Sequence, residues 1–179
     1  PDLLAGALRC VGQRHEALRT CIHNHPDGPV QVINAEFELA LERIALPGAG
    51  DATVHGRMRE LIRRPFDLTR GPLVRTYLLE LSPVDTVLLL VMHHIVSDGW
   101  SMGVLFRELS EAYSALAAER TPVLPALPVQ YADYAVWQQG WLRGAELERQ
   151  SAYWRQQLAG APPLLELPLL AGESVGAAE

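Results

Sequence analysis

Residues 87–92, VLLLVM, form an apolar run with no polar alternation, and the run stops at two adjacent histidines, His93 and His94. Asp98 and Gly99 come next, then Trp100 and Ser101, where a helical stripe begins. A membrane span needs about 20 apolar residues, so this run is far too short to be one. It reads instead as a strand covered on both faces, in the middle of a sheet. A chain built around such a strand has to put helices over its sheet.

The flanking pattern supplies those layers. Leu4, Ala7, Leu8 and Val11 recur at helical spacing after Asp2, an N-cap residue type, which predicts a helix over 3–16. "ALRTCI" and "PVQVI" flank the turn signal "HNHPDG" and predict a β-hairpin. Residues 34–50 read as a strand and then a loop closing on "LPGAG". Val54, Met58, Leu61 and Ile62 mark a second helix that stops before Pro65, since a residue preceding proline avoids the α region. "LVRTYLLEL" and "TVLLLVMHH" are strands separated by "SPVD". Met102, Leu105, Leu109, Ala112, Tyr113 and Leu116 then form a helical stripe. Beyond the connector "TPVLPALP", one helix carries Tyr134, Trp137 and Trp141, and another carries Tyr153, Trp154 and Leu158. The class is mixed α/β.

Charge excludes some functions. A net charge of −6 argues against nucleic acid, which needs a basic face. Arg57, Arg59, Arg63 and Arg64 gather on one predicted helix and read as a solvated face rather than a phosphate site. Cys10 and Cys21 are too few for a disulfide framework and read as free thiols in a reducing cytoplasm. No signal-peptide pattern opens the chain, which begins on a helix start without Met and reads as an excised piece.

The histidine pair allows two chemistries. Successive strand side chains point to opposite faces, so His93 and His94 diverge if both end the strand. That disfavours a metal site, for which only Asp98 is at hand as a third ligand. His23 and His25 have i, i+2 spacing but sit in a turn without a local partner. Acid–base work fits better, because an imidazole with an unperturbed pKa of about 6.5 accepts a proton near neutrality. Asp98 could hold the histidine or pair with an arginine to fix the loop. Gly99 lets a backbone or ligand approach closely, and free N–H groups at a helix start favour an anionic intermediate.

"MHHIVSDGWS" resembles the core motif of condensation domains of nonribosomal peptide synthetases, in the chloramphenicol-acetyltransferase-like superfamily. "RHEALRT" (14–20), "RPFDLTRGPLVRTYLLEL" (64–81), "YADYAVWQ" (131–138) and "YWRQQLAGAPPLLELP" resemble further family segments in the same order. The resemblance implies an α/β chloramphenicol-acetyltransferase-like sandwich: one lobe of a two-lobed V-shaped domain, its mixed sheet covered by helices. Residues 1–168 correspond to the N-terminal lobe, without the family's first motif and the C-terminal lobe. Residues 169–179 are an off-pattern tail, and Ile22 stands where the family often has an aromatic.

The same resemblance assigns roles. His94 faces the tunnel and acts on the acceptor amine, His93 supports it from the packed side, and Gly99 leaves room for the thioester. Asp98 is structural and pairs with Arg19, while Trp100 and Ser101 resemble the condensing rather than the epimerising type. Tyr131, Tyr134 and Trp137 read as core, being an aromatic stripe at helical spacing. The implied reaction forms a peptide bond between aminoacyl or peptidyl thioesters, with an L-configured donor. The substrates ride on phosphopantetheine arms of upstream and downstream carrier proteins. No metal and no directly bound cofactor are implied, and the location is cytoplasmic. Two other classes compete: a related acyltransferase with a CoA- or carrier-bound donor and a hydroxyl acceptor, and a non-catalytic half-domain that recruits partners.

Overall fold

A computed structural model of the chain describes residues 1–35, 38–162 and 164. The expected tail at 169–179 lies outside the described residues. The chain divides into two compact units, Pro1–Val136 and Trp137–Glu179.

In the first unit, α1 (Asp2–Arg14) leads through a 3-10 turn (Glu16–Arg19) into β1 (Thr20–His23) and β2 (Val30–Ile33). Then come β3 (Leu41–Ala45), α2 (Asp51–Arg63), β4 (Val74–Glu80), β5 (Thr86–Met92) and α3 (Gly99–Ala117). Helix α1 starts one residue earlier than its sequence suggests: Pro1 is the N-cap, and Asp2 lies in the first turn without a side-chain cap. The predicted hairpin forms, with β1 and β2 antiparallel and Cys21 opposite Val32.

The larger sheet has the order β3-β4-β5 and is mixed, since β3 pairs parallel to β4 and β4 antiparallel to β5. A parallel pair needs a crossover, and α2 supplies it between β3 and β4. The apolar run was expected to be the middle strand, but that place belongs to β4, and β5 is an outer strand among the described residues.

The composition of β5 has another cause. Leu88, Leu90 and Met92 pack with α1 and α3 through Leu8, Val11, Leu105 and Leu109. Val87, Leu89 and Val91 face the other way, with Val54 and Leu61 of α2 and Tyr77 and Leu79 of β4. Strand residues alternate faces, so a sheet between two helical layers needs apolar residues at every position, whatever the number of its neighbours. Leu8, Leu61 and Leu79 are fully buried, each stabilising the fold by roughly 2–3 kcal/mol.

Helix α2 ends at Arg63, before Pro65 as predicted. Its arginines are a solvated face: Arg57 and Arg64 both pair with Glu60. Cys10 and Cys21 are free thiols. Helix α4 spans Tyr131–Trp141, and α5 spans Gly144–Gln157 in the second unit. The α4 aromatics are not core in this chain, since Tyr131, Tyr134 and Trp137 are all about half exposed.

Candidate active site

Strand β5 ends at Met92, so both histidines sit in the turn that follows. The turn is held from both sides. The N–H of His93 donates to the Leu73 carbonyl at 2.9 Å, continuing the β4–β5 ladder, and the Val96 N–H closes on the His93 carbonyl at 3.1 Å. The His93 ring accepts the Ile95 N–H at Nδ1, 3.1 Å, which fixes that nitrogen as an acceptor.

A second clamp reaches His93 from the loop after α2. Phe66 meets the His93 ring edge-on, with centroids 5.8 Å apart and planes at 89°. Arg75 of β4 lies over the other partner, its guanidinium carbon 3.8 Å from the Phe66 centroid. The same guanidinium donates to the carbonyls of Arg64 (2.7 Å) and Pro65 (3.2 Å) just past the end of α2. His93 is thus tied into packed structure, as a supporting residue would be.

His94 is exposed and lines a cleft of about 340 Å3. Asp98, Trp100 and Ser101 share the lining with it, while His93 and Gly99 do not. A Cβ built on Gly99 would meet nothing within 4 Å, so the protein leaves open space there. Among the described residues the Gly99 N–H has no protein acceptor, and it lies at the first position of α3.

Asp98 is the N-cap of α3. Its Oδ1 accepts the Ser101 N–H at 2.8 Å and the Ser101 hydroxyl at 2.6 Å, and the Asp98 N–H points back to Ser101 Oγ at 3.4 Å. Ser101 holds the Asp98 carboxyl below the usual aspartate range, first through its hydroxyl and then through its N–H, with a smaller contribution from the charge of His94. The expected pair with Arg19 is not formed. Arg19 instead donates to the Asn34 carbonyl at 3.0 Å and to Glu16 at 3.3 Å. The carboxylate of Asp98 is taken by the orphan N–H groups of its own helix, and a helix N-terminus attracts an anion.

Two residues of the cleft lining, His15 and Tyr131, were not foreseen there, nor was the buried pair behind His15. His15 lines the cleft, and its Nε2 lies 2.7 Å from Oε2 of Glu108, a buried carboxylate on α3. Arg14 donates its Nε to the same oxygen at 3.0 Å. Tyr131 lines the cleft as well. The signal for Glu108 was present, since it falls inside the apolar stripe between Leu105 and Leu109 and a buried charge there needs partners.

With this geometry in place, comparison with known proteins identifies the chain. The family model described as "Condensation domain" matches residues 1–176. The chain belongs to the condensation-domain family.

Among relatives, this condensation-family chain is 43% identical over 168 residues to malpinin synthetase of Mortierella alpina, covering 92% of the chain and 2% of that protein. It is 42% identical over 169 residues to chondramide synthase cmdD of Chondromyces crocatus, covering 92% of the chain and 4% of that protein. Among solved structures, the X-domain from teicoplanin biosynthesis superposes with a TM-score of 0.83 at 34% identity, over 93% of this chain and 37% of that one. The starter condensation domain of rhizomide synthetase RzmA gives 0.78 at 25% identity, over 91% and 40%. The condensation-family chain therefore spans about two-fifths of the solved chains it matches, and its helix-covered mixed sheet is the fold of these domains. No described helix is long and apolar enough to cross a membrane.

Proposed function

We propose that residues 1–168 are the N-terminal lobe of a condensation domain, and that the complete domain forms a peptide bond between two carrier-bound thioesters in the cytoplasm. What carries the reading is the position of His94: of the two histidines it alone lines the cleft, beside a capped helix start. The acceptor amine attacks the donor thioester carbonyl, so a C–N bond forms and the C–S bond breaks. The departing thiolate leaves with the proton the amine loses, carried by His94. Such acid–base help is worth about 10²–10⁴-fold.

The remaining roles follow. His93 supports the turn, Gly99 offers space and its N–H to the developing oxyanion, and Asp98 with Ser101 fixes the loop. Trp100 lines the cleft and is 85% exposed. Holding two tethered reactants together supplies several kcal/mol more. Both substrates would arrive on phosphopantetheine arms of carrier proteins, and the arms belong to those partners.

A recruitment module is the second reading, favoured by one observation: the X-domain from teicoplanin biosynthesis, 35% identical to this chain, has also been solved in a complex with OxyB. The assay that separates the two gives a domain comprising this chain and its C-terminal continuation one aminoacyl-loaded and one amine-loaded carrier. An amide product on the downstream carrier supports condensation. Carriers that stay unreacted, with a stable protein complex forming instead, would overturn it in favour of recruitment.

A further inference from the structure

The best-supported titratable group in the cleft outside the histidine pair is His15. It sits where α1 gives way to the 3-10 turn, with its side chain 22% exposed, and it lines the same cleft as His94. Its Nε2 is engaged by Glu108, whose side chain is only 7% exposed. Arg14, at 16%, already matches the charge of that carboxylate through Nε and holds the Pro125 carbonyl with its other end. Gln130 adds a brace, donating to the Arg14 carbonyl at 3.0 Å and accepting the Glu16 N–H at 3.2 Å. The backbone is therefore braced on both sides of His15, whose Nε2 faces the carboxylate.

In its neutral form the ring carries its proton on Nε2, toward the carboxylate oxygen 2.7 Å away, and leaves Nδ1 with a lone pair. Among the described residues Nδ1 has no protein partner. A rigid acceptor of this kind complements an N–H donor and not a carbonyl. Besides the amide N–H and hydroxyl groups of the pantetheine arm, the reaction assigned to this cleft brings one donor at the reacting centre of every acceptor substrate, the α-amine. We propose that His15 is a substrate-binding residue, whose Nδ1 accepts a hydrogen bond from the α-amine of the acceptor aminoacyl group and turns its lone pair away from solvent. The proposal rests on the condensation reading and deepens it. Two imidazoles then divide the work, His15 holding the amine and His94 taking its proton.

The test uses stable amide analogues, alanyl-aminopantetheine and propionyl-aminopantetheine, which differ only by the amine. Their affinities for the complete domain are measured by titration calorimetry. Wild type should bind the alanyl compound about tenfold more tightly, the worth of one hydrogen bond. His15→Asn keeps an acceptor near the Nδ1 position and should retain most of that preference. His15→Gln keeps the donor to Glu108 but displaces the acceptor, and should lose it. A purely structural role for His15 predicts the reverse order, Gln rescuing and Asn failing, and that result would overturn the proposal. So would a wild type without preference. For a variant that does not fold, the 15N spectrum of histidine-labelled wild type decides: the Nδ1 resonance of His15 should move with the alanyl compound and stay with the propionyl one. Neither readout depends on turnover, so failure here leaves the condensation reading standing, and absence of amide product leaves these affinities interpretable.

Discussion

Asp98 and Ser101 hold each other across the first turn of α3, the Oδ1 of one accepting both the N–H and the hydroxyl of the other at 2.8 and 2.6 Å. This reciprocal cap gives Asp98 an architectural part at the start of α3. Asp98→Ala should lower Tm by about 2–4 °C, the loss of one helix cap in a chain of this size. Asp98→Asn, which also caps, should lose less. Thermal unfolding followed by circular dichroism measures both, and an alanine variant as stable as wild type would remove Asp98 from that role.

The same bond carries a pH dependence. The carboxyl of Asp98 is held below its usual range by Ser101, hydroxyl first and N–H second. A depressed folded-state value means that the contribution is complete above the unfolded aspartate range, near ~4, and disappears as pH falls through the lowered folded value. Acid should therefore narrow the stability gap between wild type and Asp98→Ala, down to the limit at which the folded-state carboxyl is fully protonated. Urea midpoints of both proteins between neutrality and that limit check it. A gap that is constant throughout would contradict the pairing.

Part of this was written in the sequence and part was not. The capping box was legible as an Asp followed at the third position by Ser, a spacing that binds a helix start. The carried-over pairing with Arg19 failed because it passed over that nearer partner. The order of the strands was not legible in the same way. Polar alternation reports whether both faces are covered, and β5 is covered on both by α1, α3 and α2, so its apolar run said nothing about being an outer strand. The α4 aromatics at helical spacing were equally silent about exposure. His94 in the cleft and His93 in the packing were expected from the family resemblance, although the two lie in the turn past the strand.

Phe66 links two parts of the site, stacking under Arg75 and edge-on to His93. Phe66→Leu keeps the volume roughly constant but removes both ring contacts, each worth about 0.5–1.5 kcal/mol. In the complete domain we expect kcat to fall by about three- to tenfold with KM unchanged, since the turn loosens while the cleft keeps its lining. Phe66→Tyr should recover most of it. Steady-state kinetics on loaded carriers give the answer, and an unchanged kcat for Phe66→Leu would show that the clamp does not set the position of the turn.

Gly71 faces Cys21 so closely that an added Cβ would lie 2.8 Å from its Sγ, and its φ of +60° suits glycine besides. Gly71→Ala should destabilise by roughly 2–4 kcal/mol, combining the clash with the backbone cost. In a Cys21→Ala background the penalty should shrink by the steric part and keep the backbone part. Chemical denaturation of the four proteins closes this cycle, and strict additivity would show that the two residues do not touch.

Glu108 should tolerate substitution poorly. Glu108→Leu leaves Arg14 with its Nε unpaired and frees His15, and a buried pair broken in this way costs roughly 2–4 kcal/mol once the partial exposure of the partners is allowed for. Urea denaturation measures it, and a variant of equal stability would mean that the carboxylate is not what anchors these two residues.

The division of labour between the two histidines is the centre of the account, and one comparison tests it most directly. Amide formation is followed by mass spectrometry of the downstream carrier, using the complete domain in wild-type, His93→Ala and His94→Ala forms of matched folding. The geometry predicts that His94→Ala loses about 10²–10⁴-fold in rate with the cleft still able to bind substrate. His93→Ala should lose less, through disorder of the turn. A His94→Ala domain that condenses within threefold of wild type would contradict the assignment of His94 as the residue that moves the amine's proton.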